Sequence, residues 1–201
     1  MFDTQSEIHI TARIASGKTE LAMRFPSDNE WSERARLRKI VIKRGGRGMS
    51  ESRSEPNSDY DLKIYEAAKL NGAPALTPAE ATRILDLLGT CEILGVELGS
   101  DDATVTLRVL GGEVHHTLNQ PTAEQVLDFR KKAAKSREMP YNMAEVRILL
   151  EPGAKLWDAC HGASEDYPNG VPALHKDAAA RAVIDALDRE LQSEVDETDS
   201  F

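Results

Sequence analysis

The sequence predicts an α+β fold made by tandem duplication of a β-hairpin followed by helices, giving two similar small units. Three observations predict it. Apolar residues alternate with polar ones in short segments that run into glycine turns. Residues 10–26 and 105–121 align without a gap, 95 positions apart, with Thr11, Arg13, Gly17 and Pro26 recurring as Thr106, Arg108, Gly112 and Pro121. Each copy then enters a helix through the same kind of capping sequence, Ser27-x-x-Glu30 and Thr122-x-x-Gln125.

In the first unit Ile10, Ala12 and Ile14 alternate with polar neighbours, as a half-buried strand requires. Ser16-Gly17 suits a tight hairpin turn, and Leu21, Met23 and Phe25 share one face of the return strand. Past Pro26, the Ser27 hydroxyl accepts from an orphan backbone N–H while the Glu30 carboxylate reaches back to the cap. The helix so opened carries Trp31, Ala35 and Ile42 as its buried stripe and is expected to run to Gly45-Gly46. Residues 44–58, rich in Gly, Ser, Arg and Glu without periodicity, read as a mobile basic linker. A short amphipathic helix over 61–69 centres on Tyr65. After a Gly/Pro loop, Thr77-Pro78-x-Glu80 starts a helix that buries Ile84, Leu85, Leu87 and Leu88.

The second unit repeats this order. Leu94, Val96 and Leu98 alternate like a strand ahead of the hairpin, whose two strands bury Val105, Leu107 and Val109, then His116 and Leu118, around Gly111-Gly112. The capped helix places Val126, Phe129 and Ala133 inward and is expected to end before Pro140. A strand on Val146, Ile148 and Leu150 follows, then a helix over 155–161 around Trp157. A final helix over 177–191 rests on Ala180, Val183, Ile184 and Leu187. The units span 1–98 and 99–192, with 193–201 an acidic tail expected to fray.

The composition belongs to a soluble globular chain: 201 residues, 40% hydrophobic, 5% aromatic, mean hydropathy −0.44. No apolar run reaches the roughly 18 to 20 residues of a membrane span. Residues 1–10 carry acids and Gln where a signal peptide would be basic and then apolar, so a cytoplasmic location and no membrane partner are expected. Two cysteines, Cys91 and Cys160, make no disulfide framework.

The net charge of −9 hides two basic stretches. Residues 31–53 hold eight basic side chains against two acids, residues 128–138 hold five against two, and the rest of the chain therefore carries −18. A chain polarised in this way can dock head to tail with its own kind, grip an acidic partner or touch nucleic acid through phosphates. The residues expected to bind a partner are Arg34, Arg36, Arg38, Lys39, Lys43, Arg44, Arg130 and Lys131. The unremarkable alternative is a solvated helix face with internal ion pairs.

Motifs for chemistry are missing. His115 and His116 are neighbours on a strand and point to opposite faces, and Cys91, Cys160, His161 and His175 lack zinc-ligand spacing. The run from Arg44 to Gly48 lacks the Lys-Ser/Thr of a phosphate-binding loop. No catalytic residue, metal or cofactor is assigned, and the sequence leans away from an enzyme.

The order strand, Gly turn, strand ending in Pro-Ser/Thr, then capped helix resembles the start of small bacteriophage tail assembly chaperones and related tail proteins. The resemblance covers 10–39 and again 105–135. It implies a non-enzymatic protein that binds other structural chains during virion assembly, in the host cytoplasm and as part of the virion. Two copies, and a strongly basic first helix, depart from that pattern and bring a permanent tail or head-completion component into play. The expectation is an oligomeric assembly protein that binds structural chains, self-association included. Two alternatives stand beside it. One is nucleic-acid binding through the basic helix and Gly/Arg loop, against which the net charge and scarce aromatics count. The other is an enzyme built on His115 or His116 with a neighbouring carboxylate.

Overall fold

A computed structural model describes residues 7–15, 17–45, 50–167 and 169–198, the last six through their backbone. The fold is α+β: among the described residues, nine strands form three antiparallel sheets and six helices pack on them. Strands β1 (Glu7–Ile14) and β2 (Gly17–Arg24) pair as a hairpin. After α1 (Asp28–Leu37) come β3 (Lys39–Arg44), β4 (Ser50–Glu55), α2 (Ser58–Ala68) and α3 (Pro78–Leu88). Then β5 (Glu92–Leu98), β6 (Asp102–Val109) and β7 (Gly112–Asn119) form a three-stranded sheet. The chain finishes with α4 (Ala123–Lys132), β8 (Ala134–Met139), β9 (Met143–Ile148), α5 (Glu151–Ala159) and α6 (Ala173–Thr198).

Each hairpin closes one residue earlier than Ser16-Gly17 and Gly111-Gly112 suggest, on the pairs Ile14↔Gly17 and Val109↔Gly112. Gly17 at φ 120° and Gly111 at φ 107° take left-handed backbone that other residues avoid. Ser16 itself lies outside the described residues. Both capping boxes form as expected, and a third opens α3 at Thr77.

The helices after the boxes are shorter than their sequence pattern implies. The first ends at Leu37, because Arg38 is extended (φ −72°, ψ 136°) and the β-branched run Ile40, Val41, Ile42 prefers the pleated strand β3. Ile42 therefore lies on a strand, and the expected end at Gly45-Gly46 is corrected. The second ends at Lys132 with Ala133 as cap, and 134–139 is strand β8 in place of helix. Within the stretch 44–58, read from the sequence as a linker, regular structure forms. Ser50–Glu55 pairs along β3 from Arg44↔Ser50 to Lys39↔Glu55, and Asn57 caps α2 by accepting from the Tyr60 N–H. Positions 46–49 of that stretch, and the tail's end at 199–201, lie outside the described residues.

Two apolar clusters form. One gathers Ile10, Leu21, Met23, Trp31, Ile64, Tyr65, Ile84, Leu85 and Leu88 with Leu150 from the far half of the chain. The other gathers Val105, Leu107, Val114, Leu118, Phe129, Trp157, Val183 and Ile184, with Val96 and Leu98 packed against it. Leu94 is exposed because the β5 register shifts between Ile93 and Gly95, turning it outward. Leu87, expected inside, is 42% exposed on α3. The two parts meet through β3 and β9, through the Ala173 N–H donating to Asp28 Oδ1 at 2.8 Å, and through Arg147 donating to the Arg36 carbonyl at 3.2 Å. β5 pairs with β6, so the position-98 boundary falls between two hydrogen-bonded strands. Among the described residues no helix is long and apolar enough to cross a membrane.

Candidate assembly surface

The sheet that joins the two halves has the order β4-β3-β9-β8. At its centre Ile40 faces Val146, Val41 faces Glu145, Ile42 faces Ala144 and Lys43 faces Met143. Side chains alternate across a strand, so the register assigns the faces. One face carries Ser50, Ser52 and Ser54, Ile40, Ile42 and Arg44, Ala144, Val146 and Ile148, then Ala134, Ser136 and Glu138. The opposite face carries Glu51, Arg53 and Glu55, Lys39, Val41 and Lys43, Glu145 and Arg147, then Lys135 and Arg137. Of all the residues in these four strands, only Ala144 is buried. A sheet of this size ordinarily derives its stability from covering at least one face. Here Val41, Ile40, Ile42, Val146 and Met143 stay half-buried, and β4 and β8 are exposed along nearly their whole length.

The residues expected to bind a partner are dispersed by the fold. Arg34 is not a surface residue. Its side chain is 10% exposed, donates from Nε to Asp61 Oδ1 at 2.8 Å and from Nη2 to Asp86 Oδ1 at 2.7 Å, and lies 5.5 Å from the Trp31 ring. Arg38 bonds to Asp86 at 2.8 Å and to the Ser54 hydroxyl, Arg36 pairs with Glu33 on its own helix, and Arg130 pairs with Asp188 of α6. Lys39 lies 3.1 Å from Glu55, and Arg44 reaches across β9 to Glu138 at 3.4 Å. Lys43 on β3 and Lys131 on α4 are exposed. The basic helix is thus consumed largely by internal ion pairs, and the basic side chains gathered on one surface are Lys39, Lys43, Arg53, Arg147, Lys135 and Arg137 of the sheet, of which Lys39 and Arg147 pair with Glu55 and Glu145. Sequence reasoning missed Asp61 and Asp86, which lie 27 and 52 positions from Arg34 and carry no local signal.

The strand neighbours His115 and His116 do point to opposite faces. His115 is exposed, its ring nitrogen Nδ1 lies 3.1 Å from the Thr106 hydroxyl, and its backbone N–H donates to Asp166 at 2.8 Å. His116 is fully buried, edge-on to Trp157 at 5.3 Å, stacked on Tyr167 at 6.0 Å and 5.9 Å from His175. Among the described residues neither ring nitrogen of His116, nor Nδ1 of His175, has a hydrogen-bond partner. Burial pushes His116 down to about 4, and burial together with His116 pushes His175 down to about 3. The same burial raises the Tyr167 phenol, and with Asp177 nearby holds the Cys91 thiol at about 12. The cluster is therefore neutral near pH 7 and packs as an apolar core. Among the described residues no group of three or more His, Cys, Asp or Glu is placed to hold a metal ion.

Comparison with protein families, curated proteins and solved structures finds no match for this chain.

Proposed function

We propose that the chain is a tandem duplication acting as a non-enzymatic assembly protein, docking other structural chains and its own copies through the four-stranded sheet. Element boundaries support the duplication. Strands β1, β2 and β3 and helix α1 recur as β6, β7, β8 and α4 with first and last residues displaced by 95. Strand β4 recurs as β9 displaced by 93, two fewer because the second hairpin has the shorter turn, and α3 and α6 again begin 95 apart. The capping boxes at Ser27 and Thr122 keep the same displacement.

One observation carries the function: four strands, drawn equally from both copies, contribute only Ala144 to the interior and leave half-buried Ile and Val residues at the surface. Folding a sheet that is only partly covered is weakly favourable by itself, whereas pairing its edges or covering the rest of its face adds hydrogen bonds and buries apolar area. The internal ion pairs of the first basic stretch favour this reading over nucleic-acid binding, since guanidinium groups already bonded to carboxylates are poor phosphate ligands. Together with the tail-protein resemblance of 10–39 and 105–135, this gives a virion component, of the tail or head-completion kind, as the biological setting.

Light scattering after size exclusion, at low and high salt and with and without added DNA, tests the reading. The expected result is a species larger than 22.1 kDa whose mass falls with salt and is unchanged by DNA. A monodisperse monomer that shifts only with DNA contradicts it.

A further inference from the structure

We propose that the assembly surface takes a second copy of this chain, with β8 of one copy pairing antiparallel to β4 of the next and so continuing the sheet head to tail. The inference rests on the assembly reading and names its partner and contact.

Strand direction allows the contact. In an antiparallel sheet of four strands the outer two, β4 and β8, run in opposite senses. A second copy placed beside the first in the same orientation therefore presents β4 to β8 as an antiparallel neighbour, with matching faces.

Both edges are available. The outer side of β2 is bridged at one point by Leu70, whose N–H donates to the Ala22 carbonyl at 2.9 Å, and that of β7 by Ala163, which exchanges backbone bonds with Thr117. Along the outer sides of β4 and β8, as along those of β1 and β5, no described backbone segment hydrogen-bonds, and β4 and β8 are the two free edges of one sheet. Such an edge offers a row of N–H and C=O groups to a partner strand.

Side chains choose between the possible edge pairings. On the charged face β8 presents Lys135 and Arg137, whereas β4 presents Glu51 and Glu55 around Arg53. With Ser136 opposite Ser52, Arg137 faces Glu51 while Lys135 faces Arg53 and has Glu51 and Glu55 at its diagonals, so a β8 face of two positive charges meets a β4 face of net −1. Pairing β8 with a second β8 about a two-fold axis sets Lys135 and Arg137 against themselves, which is unfavourable across strands. On the other face Ser52 and Ser54 meet Ser136 and Ala134, small side chains that let the strands approach, while Ser50 meets Glu138, a carboxylate that can accept from its hydroxyl. A head-to-tail contact between identical chains is heterologous, so it propagates into a ring where the rotation closes and a filament where it does not.

The test combines charge exchange with cross-linking. The Lys135→Glu/Arg137→Glu chain and the Glu51→Lys chain should each self-associate about tenfold or more weakly than wild type, and a mixture of the two should recover large species, because the altered β8 of one then faces the altered β4 of the other. Mixing a Ser136→Cys chain with a Ser52→Cys chain under mild oxidation should give the mixed disulfide in excess of either homodimer. That readout stands even if charge reversal disturbs the hairpin. If wild type assembles while β8-to-β8 or β4-to-β4 disulfides dominate, or while charge reversal leaves the mass unchanged, the edge contact is wrong and the assembly reading survives. A wild-type chain that stays monomeric throughout overturns both.

Discussion

Replacing Asp61 with Ala will destabilise the chain by about 3–5 kcal/mol, the cost of leaving a buried charge without its partner. Asp61 is 1% exposed and accepts two bonds from Arg34, at 2.8 Å from Nε and 3.2 Å from Nη2. With the carboxylate gone, the guanidinium keeps Asp86, which is 42% exposed at its side chain and already shared with Arg38. The remaining contact is partly screened by water and does not replace the buried one. The proposed duplication indicates how the loss is reversed. Displaced by 95 and 93 positions, Arg34 and Asp61 become Phe129 and Ala154, and Phe129 is buried with the Arg181 guanidinium 5.0 Å from its ring centre. The double variant Arg34→Phe/Asp61→Ala should therefore recover most of the stability lost by Asp61→Ala alone, since charge and partner leave together. Urea midpoints followed by Trp31 and Trp157 fluorescence measure both. Equal loss in the single and double variants would mean that the two copies do not share packing at these positions.

The second large effect is acid sensitivity between pH 6.5 and about 4. His116 and His175 are neutral in the folded chain down to about 4 and about 3, because burial disfavours their charged forms, whereas in the unfolded chain they take protons near 6.5. Within that window the unfolded state binds more protons, so stability falls as pH falls, by up to about 1.4 kcal/mol per pH unit for each histidine. Above pH 6.5 neither histidine contributes to the slope. Asp177, raised by burial despite Arg181, works in the opposite sense at the lower end, since its folded form accepts a proton first. Below about 4.5 the capping carboxylates join. Glu30, held at about 2 chiefly by the Arg24 guanidinium, and Glu80, held at about 2 by the Thr77 N–H and hydroxyl and the Ala15 N–H, lose their contribution as pH falls toward 2. His116→Leu places in β7 the residue that stands at the matching position of β2, Leu21, and should halve the slope between pH 6.5 and 4.5. A urea midpoint that is flat from pH 7 to 4.5 in the wild type would show that these imidazoles are not buried neutral.

How far the fold was legible in the sequence differs by element. The hairpins, the caps and the apolar stripes on Leu21, Met23, Val105 and Leu118 could be read, because each is written within a few residues by alternation, glycine and a hydroxyl–carboxylate spacing. The hairpin β3–β4 and the strand β8 could not; of β9 the alternation of Val146 and Ile148 was legible, although the strand ends at Ile148 and Leu150 caps α5. KIVIKR, SESRSE and AKSREM mix charged, small and apolar residues without a clean alternation, and the basic content imitates a continuing helix. Ile40, Val41 and Ile42 were the available signal for a strand. The pairing of β3 with β9 is a contact between positions about 100 residues apart, which no local pattern encodes. The basic residues misled for a related reason. Arg34 sits on the inward side of α1 beside Trp31, at the position Phe129 holds in α4, and its partners come from α2 and α3.

The most direct test of the account is amide hydrogen exchange on the full chain at a low and a high protein concentration. If copies join through the sheet, the amides of 50–55 and 134–139 will slow about tenfold or more at high concentration. Those of β2 and β7, each bridged at one point on its outer side within the chain, will exchange at the same rate in both. Exchange in β4 and β8 that is independent of concentration, while the mass in solution rises, would place the contact on another surface and contradict the account.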